Sequence, residues 1–166
     1  MNVGDLYNLY PGVCLIHGIT RIGVESYIPE DTSLLDRIKF SIVSSSSKLS
    51  TYSYDLGSMY FKEKCYGSIG LIIADGKIIY ASEEDTGFTK LDLHHLVFDF
   101  EKVCWNDVFS AKNYNEIIVK NVIIRGFVIH YIHEFSFEEI VFACREMKLP
   151  IYINDSNGEY KEILVF

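Results

Sequence analysis

Basic residues are scarce in this chain: 15 Lys and Arg stand against 23 Asp and Glu among 166 residues, a net charge of −8 at pH 7. That deficit argues against holding polyanions through a broad basic field and leaves room only for a small, locally basic cleft. No apolar run approaches the ~20 residues of a membrane-spanning helix, and no basic-then-apolar leader opens the chain, so no membrane contact is expected. Tryptophan occurs once and proline three times. The four cysteines (Cys14, Cys65, Cys104, Cys144) form no CxxC pair and no Cys/His ligand spacing, which predicts no metal site. They read as buried free thiols in a reducing compartment, and hence predict a cytoplasmic protein. The phosphate-cradling GxxxxGK(S/T) loop, GxGxxG after a strand, HExxH and GxSxG are all missing, which sets aside the chemistries they carry.

What is present is apolar and aromatic. Apolar residues make up 49% of the chain, with twelve Tyr and eleven Phe, so disorder is excluded and strands are favoured. The length fits one domain, 1–166, with no linker or repeat. Runs rich in β-branched and aromatic residues predict strands at Val13–Ile16, Phe40–Val43, Ile69–Ile73, Ile78–Ala81, Ile117–Val119, Ile123–Ile132, Ile151–Ile153 and Ile163–Phe166. Asp75-Gly76 and Asn157-Gly158 predict hairpin turns, because these pairs tolerate positive φ. A helix is predicted from about Phe137 to Lys148, capped by Ser136 with Glu139 completing a capping box, and with Phe137, Ile140, Cys144 and Met147 inward. Helical spacing also marks Leu93–Phe109, restarting at Asp99, and a short helix after Pro29 with Leu34, Leu35 and Ile38 inward. Hairpins with few helices predict an α+β class with a mostly antiparallel, split β-sheet core.

Chemistry has few candidates. His94-His95 makes a poor chelate, since adjacent helical residues diverge. His130 and His133, three apart on or beyond a strand, point to opposite faces. Two segments say more together. Cys14-Leu15-Ile16-His17-Gly18-Ile19-Thr20 is a strand ending in His-Gly and a hydroxyl, and Tyr114-Asn115-Glu116-Ile117-Ile118-Val119 is a strand with one carboxylate at its entrance. Alone, a His after a strand is more often a hydrogen-bonded structural residue, and a Glu at a strand edge is usually solvated.

Read in order, the two segments resemble the ADP-ribosyltransferases, and most nearly the DarT-type DNA-modifying toxins. The likeness runs from about Leu15 to Ile132 in short pieces, including the Leu96–Asp107 stretch with Trp105 and the segment Leu56-Gly57-Ser58-Met59-Tyr60. It implies an NAD-dependent enzyme with Glu116 catalytic, and His17, Gly18 and Thr20 holding NAD. Tyr54 or Tyr60 would stack on nicotinamide, and Arg21 and Arg37 are the nearest cations for the pyrophosphate. The family's Arg before the Ser-Pro-Met-like segment is absent from Ser53-Tyr54-Asp55, leaving Arg37 or Lys48 to replace it. By the same resemblance the acceptor is a base in single-stranded DNA, and the protein a toxin or antiviral effector restrained by an inhibitory partner. The chemistry suits one rigid carboxylate: breaking the bond to nicotinamide passes through an oxocarbenium-like state, which a Glu stabilises while taking the proton of the nucleophile. The rival reading is a non-catalytic acidic binding protein, such as an immunity protein, antitoxin or inhibitor, for which acidity and abundant Tyr suit a basic surface.

Overall fold

The computed structural model describes residues 1–21, 28–55, 67–84, 98–110, 115–154 and 160–166. Tyr60 and its neighbours, Cys65, His94-His95, Tyr114 and the Asn157-Gly158 turn lie outside the described residues.

In chain order the elements are α1 (Val3–Leu9), β1 (Val13–Ile19), α2 (Leu34–Ser44), β2 (Leu49–Asp55), β3 (Ile69–Ser82), a 3-10 turn (Phe100–Lys102), α3 (Trp105–Ser110), β4 (Glu116–Ile129), α4 (Phe137–Met147), β5 (Ile151–Asn154) and β6 (Tyr160–Ile163). The class is α+β, as the sequence predicts. One sheet runs β2-β1-β3-β4-β5-β6, antiparallel except at β4–β5. An additional β2–β4 pairing, Leu49–Thr51 against Ile117–Val119, closes the first four strands on themselves.

Bulges make that closure possible. The Asp75-Gly76 pair does not turn a hairpin: the two runs around it form one 14-residue strand, β3, lying along an equally long β4. Gly76 (φ 154°) and Asn121 (φ 51°) sit where the register slips, and a side chain at Gly76 would meet Val119 and the Lys120 carbonyl. Extra residues at such points bend a strand pair and increase its twist. Asp75 Oδ1 accepts from the amides of Gly76 (2.8 Å) and Gly4 (3.1 Å), so α1 docks on the bulge.

Phe40–Val43 is helix, not strand. Ser33 Oγ caps α2 by accepting from the Asp36 amide, and the buried Leu34, Ile38 and Ser41 follow helical spacing. Helix α4 begins on Ser136 as predicted, with its Oγ 3.2 Å from the Glu139 amide. The Glu139 side chain, however, does not close the box. It reaches across to cap α2, accepting from the Leu34 amide (3.0 Å) and from Arg21 Nη2 (3.0 Å). Phe137 is exposed and Ala143 takes the inward place beside Ile140 and Cys144. Asp99 caps only the 3-10 turn.

Strand alternation sorts the core into two faces. On the inner face, Leu15, Leu49, Ile73, Ile78, Ile117 and Val119 pack with α1 and α3, while Ile19, Leu71 and Phe127 pack with α2 and α4. On the outer face Cys14, Ile16, Tyr52, Tyr54, Ile72, Val128 and Tyr152 form a third cluster. Full burial of each aliphatic side chain contributes about 1.5–3 kcal/mol. Cys14 and Cys144 are buried free thiols as expected, but Cys104 is exposed. Among the described residues no helix is long and apolar enough to cross a membrane.

Candidate functional site

Strand β2 lies between β1 and β4, and so between the two segments the sequence singles out. Its register fixes which side each residue takes. Leu15 faces Ser53 and Ile16 faces Tyr52 across β1–β2, while Thr51 faces Ile117 across β2–β4. Glu116 therefore shares the outer face with Ser50, Tyr52 and Tyr54, and Gly18 falls on that face too. His17 falls on the inner face with Leu15 and Ile19. The structure thus brings Glu116, Gly18 and Tyr54 to one side and sends the His17 ring to the other.

Glu116 is 2% exposed, at the entrance of β4 opposite Ser82. Ser50 Oγ donates to its Oε2 at 2.9 Å. The residue before it, Asn115, is fully buried and ties β2 to α3: its side chain accepts from the Ser53 amide (2.9 Å) and donates to Ser53 Oγ (2.7 Å) and the Val108 carbonyl (2.6 Å). The approach to the strand is thereby clamped. Beside Ser82 opens a cleft lined by Ser82, Glu83, Glu84, Phe98, Asp99 and Lys102 among others. Among the described residues three carboxylates and one ammonium line it, and Lys102 pairs with Asp99 at 3.5 Å.

His17 Nδ1 lies 2.8 Å from the Ser50 carbonyl and Nε2 lies 3.3 Å from Ser41 Oγ of α2. A carbonyl only accepts, so the neutral ring carries its hydrogen on Nδ1. Ser41 Oγ also lies 3.0 Å from the Arg37 carbonyl, leaving one hydroxyl hydrogen between two acceptors. Burial lowers the His17 pKa, against a smaller raising effect of the Ser50 carbonyl.

The arginines are engaged by backbone. Arg37, 6% exposed, donates to the carbonyls of Thr20 (3.0 Å), Pro29 (2.7 Å), Glu30 (3.3 Å) and Thr32 (3.1 Å). Arg21 donates to Glu134, Glu30 and Thr32 carbonyls and to Glu139, with its guanidinium 4.5 Å from the Phe135 ring centroid. Together they fasten the 29–33 loop to α2 and α4. Thr20, one residue past β1, enters this staple through its carbonyl.

Sequence reasoning missed an aromatic chain on the outer face. His130 Nε2 lies 3.0 Å from Tyr52 Oη and Nδ1 lies 3.1 Å from Tyr160 Oη, which lies 2.8 Å from Tyr54 Oη. The Tyr54 ring meets His130 (5.0 Å between centroids) and, edge-on, Tyr160 (5.7 Å), so it is packed into the cluster rather than presented as an open stacking platform. Between Tyr52 on β2 and His130 just past β4, Gly18 lies opposite Gly70, and the Ile16 side chain packs over Gly70. Burial holds the His130 pKa down at about 4. Nearby, Ser68 Oγ is buried without a partner. The only early signal was His130's place near the end of a strand; its tyrosines lie 78 and 30 residues away.

No protein family, no curated protein and no solved structure matches the chain.

Proposed function

We propose that the chain is an NAD-dependent ADP-ribosyltransferase in which Glu116 is the catalytic carboxylate. The observation that carries this reading is the Ser50–Glu116 hydrogen bond: a buried carboxylate aimed by a neighbouring strand, on the face that also holds Gly18. A side chain fixed in this way suits a reaction in which positioning matters as much as basicity. In the step, the C1′–N bond to nicotinamide breaks with its electron pair leaving on nicotinamide, and the acceptor's nucleophile bonds to C1′. Glu116 stabilises the oxocarbenium-like charge and takes the proton released by the nucleophile. By the resemblance, the acceptor is a nucleobase in single-stranded DNA and an inhibitory partner restrains the enzyme. NAD should raise the melting temperature of the chain, by an increment equivalent to about 2.7 kcal/mol at one hundred times its dissociation constant. No shift at millimolar NAD, with or without single-stranded DNA, would refute the reading.

A second reading rests on a different observation. The cleft beside Ser82 is lined by Glu83, Glu84 and Asp99, and Arg21 and Arg37 are held by carbonyls. That surface suits a basic protein partner better than a polyanion, and the chain would then be a non-catalytic inhibitor or immunity protein. Salt-sensitive capture of a basic partner without NAD turnover distinguishes it.

A further inference from the structure

We infer that His17 is a positioning residue that acts on Glu116 from the opposite face of the sheet, through the peptide of Ser50; its importance for activity rests on the transferase reading above. The path is a continuous set of contacts. The His17 Nδ1–H donates to the Ser50 carbonyl at 2.8 Å, and the hydroxyl of the same Ser50 donates to Glu116 Oε2 at 2.9 Å. Behind the ring, Nε2 meets Ser41 Oγ at 3.3 Å, which in turn meets the Arg37 carbonyl of α2.

Ser50 lies on β2 where its pairing passes from β1 to β4: Tyr52 pairs with Ile16 and Thr51 with Ile117. Ser50 itself pairs with Ile118 in the β2–β4 ladder, and the imidazole from β1 adds a hydrogen bond to its carbonyl. The ring thus contacts the residue whose hydroxyl aims at the carboxylate. With its two nitrogens against Ser50 and Ser41, the ring in this arrangement contacts the fold rather than a ligand. A group that fixes the tautomer and direction of another's hydrogen bond acts through orientation, and its loss is felt in the reacting group and not in ligand affinity.

The test uses the whole chain labelled with 15N at histidine, without NAD. The imidazole spectrum should show His17 as the Nδ1–H tautomer. Glu116→Gln should displace the His17 Nδ1 resonance while leaving that of the exposed His133 in place, and the displacement should vanish in a Ser50→Ala background. A His17 resonance that ignores Glu116→Gln overturns the inference, whatever the chain does with NAD. In turnover, His17→Ala should lower kcat for nicotinamide release by about tenfold or more with KM for NAD within about twofold. His17→Asn, whose amide N–H takes the place of Nδ1–H, should recover most of that loss. A raised KM with unchanged kcat would put the ring on NAD and overturn the positioning role. Absence of turnover in the wild type would refute the transferase reading alone, because the spectral result stands without it.

Discussion

Buried cations in this protein serve the backbone. Arg37 gives donors to four carbonyls from Thr20 to Thr32, so truncating it strands those acceptors rather than removing a free charge. Arg37→Ala should destabilise by about 3 kcal/mol in urea unfolding, whereas a change near 0.5 kcal/mol would mean the loop is held otherwise. Gly70 marks a close approach of another kind. A Cβ there would run into Ile16 Cγ2 and lie 3.2 Å from the His17 carbonyl, so Gly70→Ala should cost about 1–3 kcal/mol by overpacking. Neither effect is visible in the sequence, where Arg37 stands only as a candidate cation for a pyrophosphate and the close approach at Gly70 leaves no signal. His17 was legible in part. A lone His after a strand is usually a hydrogen-bonded structural residue, and its ring indeed bonds to Ser50 and Ser41. The partner Ser50 was not legible, because a serine in a Ser-rich stretch acquires meaning only when β2 lands beside β4.

Among the elements, local signals held where no distant partner competed. The Ser136 cap needed only short-range contacts, whereas the spacing of α4 held for Ile140 and Cys144 and failed at Phe137, which is exposed. Glu139 shows the limit: at the capping-box position, it serves α2 and Arg21 instead, because a helix amide and a guanidinium face it across the packed helices. Glu139→Gln should cost about 1 kcal/mol, since the pair is partly exposed and screened, and should loosen α2 in hydrogen exchange before α4. The Asp75-Gly76 signal failed for a similar reason. Its runs share one long partner, so the positive φ bends a strand and does not reverse it. Strand β6 is pinned to β4 by the His130–Tyr160 contact, and here pH matters. Burial depresses the His130 pKa from 6.5 to about 4. The unfolded chain then takes up the proton first as pH falls. The His130 contribution is intact above about 6.5, and up to roughly 3 kcal/mol of it is lost between about 6.5 and 4. His17, whose pKa burial also lowers, acts in the same direction. Melting temperature should therefore fall across that window, and His130→Gln should flatten much of the slope. An unchanged slope would mean that His130 is solvated.

For the molecule as a whole, strand-like runs with few helices foretold the α+β class, while the closure of four strands goes with register slips between β3 and β4 that the sequence pattern does not reveal. The net charge of −8 gathers in part at the cleft beside Ser82, and this bears on what is bound there more than on the fold. Glu116 stands at a strand entrance, as the sequence places it, and is buried with a hydrogen bond from Ser50. The most direct test of the account is release of nicotinamide from NAD by the wild-type chain and by Glu116→Gln, with single-stranded DNA present and absent. The account predicts release by the wild type and a loss of at least about a hundredfold in the variant, with its melting temperature nearly unchanged. Equal release by the two proteins, or none by either, would contradict it.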